Sequence, residues 1–199
     1  MPVPALTVSQ SAADAALAAR VACGDASALD PLYRRHRVQV YRFALFWSGS
    51  APVAADVVQD VFVHLLTHAR DFDAARGALL PWLLGIARNF VRRRAGIAAD
   101  QTFDDESMPS LDAVDHRTPD VVLCERREVE QLRRAVAALP PHYRDVLVLV
   151  ELAERSYAEA AAICGCELNT VRSRLSRARA LLARWLDIDR DAPQALTQR

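Results

Sequence analysis

Apolar side chains recur along most of this chain every three or four residues, the repeat that an α-helix gathers into one buried stripe. The first strong stretch covers residues 31–47, follows Asp30 as a helix-capping side chain with Pro31 at the first helical position, and stops at Ser48-Gly49-Ser50. A second starts at Pro52 and puts Val57, Val61 and Leu65 on one face. A third opens after Pro81 with Trp82 and ends before Gly96. With a short leading helix over residues 15–23, these predict one compact helical unit.

The pattern then lapses. Residues 100–120 carry Asp100, Asp104, Asp105, Glu106, Asp112, Asp115 and Asp120 against the single Arg117, with no sustained periodicity, which predicts an extended, flexible acidic linker. Helical spacing resumes near Val121, breaks at Pro140-Pro141 and returns through "HYRDVLVLVELA". Ser156 with Glu159 three residues on forms a capping box, each side chain satisfying a free amide at a helix start. The helix "YAEAAAIC" closes at Gly165, and after a short turn an arginine-rich segment begins. Two helices joined by a short glycine-containing turn make a helix-turn-helix. The expected fold is all-α, with two small helical domains at 24–97 and 121–187. Residues 1–23 form a leading segment, 98–120 the linker and 188–199 a tail.

Composition narrows the class. Of 199 residues, 52% are hydrophobic and 25% charged, which is globular rather than disordered. The longest mostly apolar run, residues 77–87, contains Pro81 and is far short of the roughly 20 residues that span a bilayer, so no membrane insertion is expected. The first basic residue is Arg20 and Asp14 interrupts the apolar part before it, unlike a secretory signal, so a cytoplasmic protein is expected. Four scattered cysteines, Cys23, Cys124, Cys164 and Cys166, do not make a disulfide framework. The 25 basic residues balance 25 acidic ones, yet from Leu168 to Trp185 there are five arginines and no acid.

That segment carries the most pointed chemistry. On a helical wheel Leu168, Val171, Leu175, Ala178, Leu182 and Trp185 gather on one side and must pack inward. Asn169, Ser173, Ser176 and Arg177 occupy the opposite side, flanked by Arg172 and Arg174. A solvated helix face normally mixes signs. Hydrogen-bonding groups with guanidinium groups on either side instead suit base edges between two phosphate rows, as in a DNA major groove.

In the first domain, Asp56, Gln59 and Asp60 share one helical face and suit a basic protein surface. Arg88, Asn89, Arg92, Arg93 and Arg94 make a basic strip fit to follow a strand's phosphates. Asp60, His64 and His68 at four-residue steps raise the alternative of a metal-dependent enzyme, but they lack the glutamate of an HExxH motif and any completing carboxylate cluster. No catalytic set, metal or cofactor is expected.

The stretch "LPPHYRDVLVLVELAERSYAEAAAICGCELNTVRSRLSRARALL" resembles region 4 of bacterial sigma factors of the extracytoplasmic-function group, the subunits that direct RNA polymerase to promoters. "ADVVQDVFVHLL" followed by "FDAARGALLPWLLGIARNFVRRR" is similar to region 2 of the same family, and the two motifs stand in the family's order. Asn169 stands where a glycine is common, and Cys166 where a branched aliphatic is usual. The resemblance implies that region 4 reads the promoter's minus-thirty-five element with Arg172, Ser173, Ser176 and Arg177, with Asn169, Thr170, Arg174 and Arg179 beside them. Region 2 would read and melt the minus-ten element, its 72–81 loop holding a flipped base and Arg76, Arg88, Asn89, Arg92 and Arg93 contacting DNA. Asp56, Gln59 and Asp60 would dock on core RNA polymerase, and an anti-sigma factor is the expected inhibitor. A response-regulator type transcription factor shares such a helix-turn-helix, but it needs a receiver domain of alternating strands ahead of it, and the first hundred residues read as helical.

Overall fold

The computed structural model describes residues 5–97 and 124–191. The acidic linker over 98–120, the helix start expected near Val121 and residues 192–199 of the tail lie outside the described residues. Within them all regular structure is helical.

The leading helix is longer than its apolar pattern indicates. Helix α1 spans Ala5–Ala22 and leans on the following helices through Ala18 and Val21. A one-turn 3-10 helix, Ala26–Ala28, follows, capped by Asp25, which accepts from the Ser27 amide at 3.0 Å and pairs with Arg20 at 2.6 Å. This turn runs directly into α2 (Leu29–Ser48), so Asp30 is not the cap expected from sequence. Asp30 lies in the first turn and pairs with Arg34, and Pro31 is tolerated there because first-turn amides have no partner within the helix. At the other end Gly49 adopts φ 68° and returns its amide to the Leu45 carbonyl, ending the helix in the left-handed conformation that glycine reaches without strain.

Helix α3 (Ala51–His68) starts from Ser50, whose side chain accepts from the Val53 amide, and it buries Ala54, Val57, Val58, Val61, Phe62 and Leu65. After a 3-10 turn at Ala69–Asp71 and the 72–78 loop comes α4 (Leu79–Arg94). It begins three residues before Trp82, because Pro81 again falls in a first turn and so does not mark the boundary. Its inward row is Leu79, Leu83, Leu84, Ala87 and Val91. Helices α2, α3 and α4 pack on one another, with Leu32, Val40, Phe43 and Trp47 of α2 in the middle.

The second half consists of α5 (Cys124–Ala138), α6 (Pro141–Leu147), α7 (Tyr157–Cys164) and α8 (Leu168–Asp191). The run after Pro141 does not stay α-helical. At Val148–Leu152 it widens into a π turn, with the Ala153 amide donating to Val148 O at 2.8 Å, and Glu154 at φ 54° then reverses the chain toward Ser156. Val136, Leu139, Val146, Val148 and Leu149 are buried beside Val171, Leu175 and Ala178 of α8.

The two halves meet. Helix α2 touches α5 and the π turn, α4 touches α7, and the buried apolar side chains of both halves form one cluster.

Candidate nucleic-acid interface

The helix-turn-helix is built by short-range chemistry. Ser156 Oγ accepts from the Glu159 amide at 3.2 Å, and Glu159 Oε2 accepts from the Ser156 amide at 2.9 Å. Gly165 closes α7 at φ 66° with its amide on Ala161 O, and this turn sets α8 across α7 and α6. Val171, Leu175, Ala178 and Leu182 then face inward, and the side expected to be polar faces out. Asn169, Arg172, Ser173, Ser176, Arg177 and Arg179 are exposed, while Thr170 and Arg174 are half-buried at its edge. Asn169 Oδ1 accepts from Arg172 Nη1 at 3.2 Å, holding two groups of this face together. Arg179 is turned aside, its Nε donating to Glu151 of the π turn at 3.0 Å. The face is otherwise as the wheel drew it.

The basic strip of α4 is divided. Arg76 in the preceding loop, Asn89 and Arg93 are exposed, the last with its guanidinium 4.8 Å from the Phe90 ring centre. Arg88 and Arg92 point the other way, into the junction between the halves. There the Asp145 carboxylate of α6, 1% exposed, accepts from Arg88 Nε at 2.7 Å and Arg92 Nη1 at 2.9 Å through one oxygen. Through the other it accepts from Trp47 Nε1 at 2.7 Å. Burial works against the Arg88 charge, but Asp145, with Cys164 and Cys166 nearby, outweighs it and the pKa lies above the ordinary arginine value. Arg144 completes the junction, its guanidinium 4.5 Å from the Trp47 ring centre and donating to the carbonyls of Trp47, Ala137 and Leu139. Burial pushes its pKa down to about 10.

Sequence reasoning missed Asp145, Trp47 and Arg144. The available signal was Asp145 itself, a carboxylate beside the apolar run "VLVLV", where a buried charge needs a partner.

The acidic patch forms on α3. Asp56 and Gln59 are exposed and Asp60 is half-buried, with Arg94 of α4 2.7 Å from Asp60 and 3.8 Å from Asp56. A shallow apolar groove lined by Leu29, Tyr33, Val58, Phe62 and Leu66 runs beside Gln59. The 72–78 loop is turned by Asp73, which accepts from the Ala75 amide at 2.9 Å, and Trp82 packs on Phe72 with ring centres 5.6 Å apart. His64 and His68 stack ring on ring at 4.3 Å, and Asp60 is engaged by Arg94. Among the described residues no three histidine, cysteine or acidic side chains converge to hold a metal ion, and no helix is long and apolar enough to cross a membrane.

Known proteins share this layout. Residues 32–96 match the family model for Sigma-70 region 2, and residues 129–182 the model for Sigma-70 region 4. The chain is 32% identical over 173 residues to the ECF RNA polymerase sigma factor SigE of Mycolicibacterium smegmatis, covering 83% of this chain and 65% of that one. It is 34% identical over 185 residues to the ECF RNA polymerase sigma factor SigC of Mycobacterium tuberculosis, covering 89% and 94%. Among solved structures it is similar to CnrH in complex with the cytosolic domain of CnrY, with TM-score 0.68, 30% identity and coverage of 89% and 99%. It is also similar to the sigma factor RpoE of Bartonella quintana in complex with the anti-sigma factor NepR, with TM-score 0.58, 26% identity and coverage of 80% and 97%. With region 2 and region 4 in family order and an outward basic face on the second helix of its helix-turn-helix, the chain belongs to the extracytoplasmic-function group of RNA polymerase sigma factors, transcription initiation factors and not an enzyme family.

Proposed function

We propose that this chain binds core RNA polymerase in the cytoplasm and carries it to a set of promoters, with the 24–97 unit acting on the minus-ten element and the 121–187 unit reading the minus-thirty-five element. The observation that carries this reading is the face of α8. Arg172, Ser173, Ser176 and Arg177 are exposed together, with Val171, Leu175 and Ala178 buried behind them. A rigid helix backed by core presents its donors at fixed spacing, which reading base edges demands.

Arg177 and Ser173 sit in the middle of the face and reach bases; Asn169, Thr170, Arg172 and Ser176 complete the readout, and Arg174 and Arg179 hold phosphates. On the first unit Arg76, Asn89 and Arg93 take the minus-ten strand, with Arg88 and Arg92 joining them once the junction opens. Asp56, Gln59 and Asp60 dock on polymerase. The complex of the Bartonella quintana sigma factor with NepR supports an anti-sigma factor as this chain's inhibitor as well.

Transcription of a genomic fragment library by core polymerase, with and without the full chain, tests the proposal. New start sites sharing two upstream elements are expected. An unchanged set of starts, with the chain bound to polymerase, would overturn it.

A further inference from the structure

We propose that Asp145 is the latch of a closed state in which the second half of the chain withholds Arg88 and Arg92 from DNA. The latch rests on the reading above in one respect, that these two arginines contact nucleic acid.

The geometry is that of a clasp. Trp47, Arg88 and Arg92, which donate to the Asp145 carboxylate, all belong to the other half of the chain, separated from it in sequence by 98, 57 and 53 residues. Arg92 is 5% exposed and the Arg88 side chain 18%, so Arg92 is closed to a phosphate and Arg88 largely withheld from one while the clasp is made. Closed state and DNA complex therefore compete for the same guanidinium groups.

The charge count makes the clasp releasable. Arg88, Arg92 and Arg144 bring three guanidinium groups into the junction around one carboxylate. Buried ion pairs lose most of their Coulomb gain to desolvation, and an excess cation in such a place opposes closure further. A nucleic-acid backbone offers several anions where Asp145 offers one. Asn89 and Arg93 remain exposed on the outer side of the same helix, so a strand can land there before the clasp opens. Opening then exposes the two remaining guanidinium groups of α4. Apparent affinity is scaled down by the fraction of molecules that are open.

The test uses the full chain with fluorophores on the exposed positions Val38 and Ala180, one in each half, and a mixed-sequence single-stranded oligonucleotide as probe. Asp145→Asn keeps the shape and removes the charge. It should lower energy transfer between the halves and tighten oligonucleotide binding. It should also steepen the dependence of log Kobs on log salt by about 1.4, since two further phosphate contacts on a single strand contribute about 0.7 each. Adding Arg88→Ala and Arg92→Ala should abolish the gain while leaving the halves apart. Trp47→Phe, which removes one donor and keeps a ring, should shift transfer the same way to a smaller extent, and it serves if Asp145→Asn loses helix content by circular dichroism.

Unchanged energy transfer in a folded Asp145→Asn chain overturns the latch. Parting of the halves with no gain in binding overturns the withholding by removing Arg88 and Arg92 from the DNA surface, and it leaves the face of α8 and the promoter reading standing.

Discussion

Arg94 at the end of α4 holds Asp60 of α3 at 2.7 Å, so the acidic patch proposed to dock on polymerase already has one cation of its own. Both side chains of this pair are about one-third exposed, at 32% and 33%, and exposed pairs contribute about 0–1 kcal/mol. Asp56 is more exposed still, at 66%, and farther from Arg94.

Replacing Asp56 and Asp60 together by alanine should therefore weaken binding to core polymerase while lowering the melting temperature by no more than a few degrees. Circular dichroism melts and a polymerase pull-down titration decide it. An unfolded double variant, or one that binds polymerase as the parent does, removes the patch from the partner surface.

The proposed docking of α8 in a major groove separates base readout from charge neutralisation by position. Arg177→Ala should lower discrimination between cognate and scrambled minus-thirty-five duplexes by about 1–3 kcal/mol. Arg174→Ala should weaken both duplexes alike and reduce the salt slope by about one unit. Arg179 differs from Arg174 because Glu151 holds it, so Glu151→Gln should raise affinity for both duplexes by freeing that charge. Binding isotherms across a salt series give all three. Equal losses with Arg177→Ala, or a changed sequence preference with Arg174→Ala, means that the helix sits differently in the groove.

Acidification should destabilise the fold through its histidines. His36 is held below the ordinary imidazole pKa by burial, with Arg35 adding to the effect and Asp14, whose Oδ2 lies 2.8 Å from His36 Nε2, opposing it. Burial lowers His64 and His142 too, with His68 and Arg174 as secondary causes. The unfolded chain binds these protons near pH 6.5 and the native chain does not, so their contribution is present above that pH and is lost as the pH falls through the native values. Thermal melts between pH 7.5 and 5.5 should show the midpoint falling steadily. A midpoint rising over that range means that His36 is held charged by Asp14 and that burial is the lesser effect.

Ser156→Ala removes one half of the capping box and should cost about 1 kcal/mol. Because the buried side chains of both halves form one cluster, the loss should appear as a single shifted transition in chemical denaturation. Two separated transitions would show that the halves unfold independently.

These outcomes divide along the range of the interactions concerned. The capping box of Ser156 and Glu159, the glycine stop at Gly165 and the inward row Val171, Leu175 and Ala178 depend on neighbours one to four residues away, so the order of residues alone determined them. The same holds for the outward face carrying Ser173 and Arg177. Proline was a poorer guide where it fell inside a first turn, since Pro31 and Pro81 are compatible with the helix there and do not mark its start. Which side of the α4 strip meets solvent was a different kind of question. Arg88 and Arg92 look like Asn89 and Arg93 in sequence, and what sets them apart is a carboxylate more than fifty residues away. Asp145 carries no local mark of the tryptophan and two arginines it binds, because burial of a charge is decided by whatever the packed helices bring against it. Only the tertiary structure could place those four groups together.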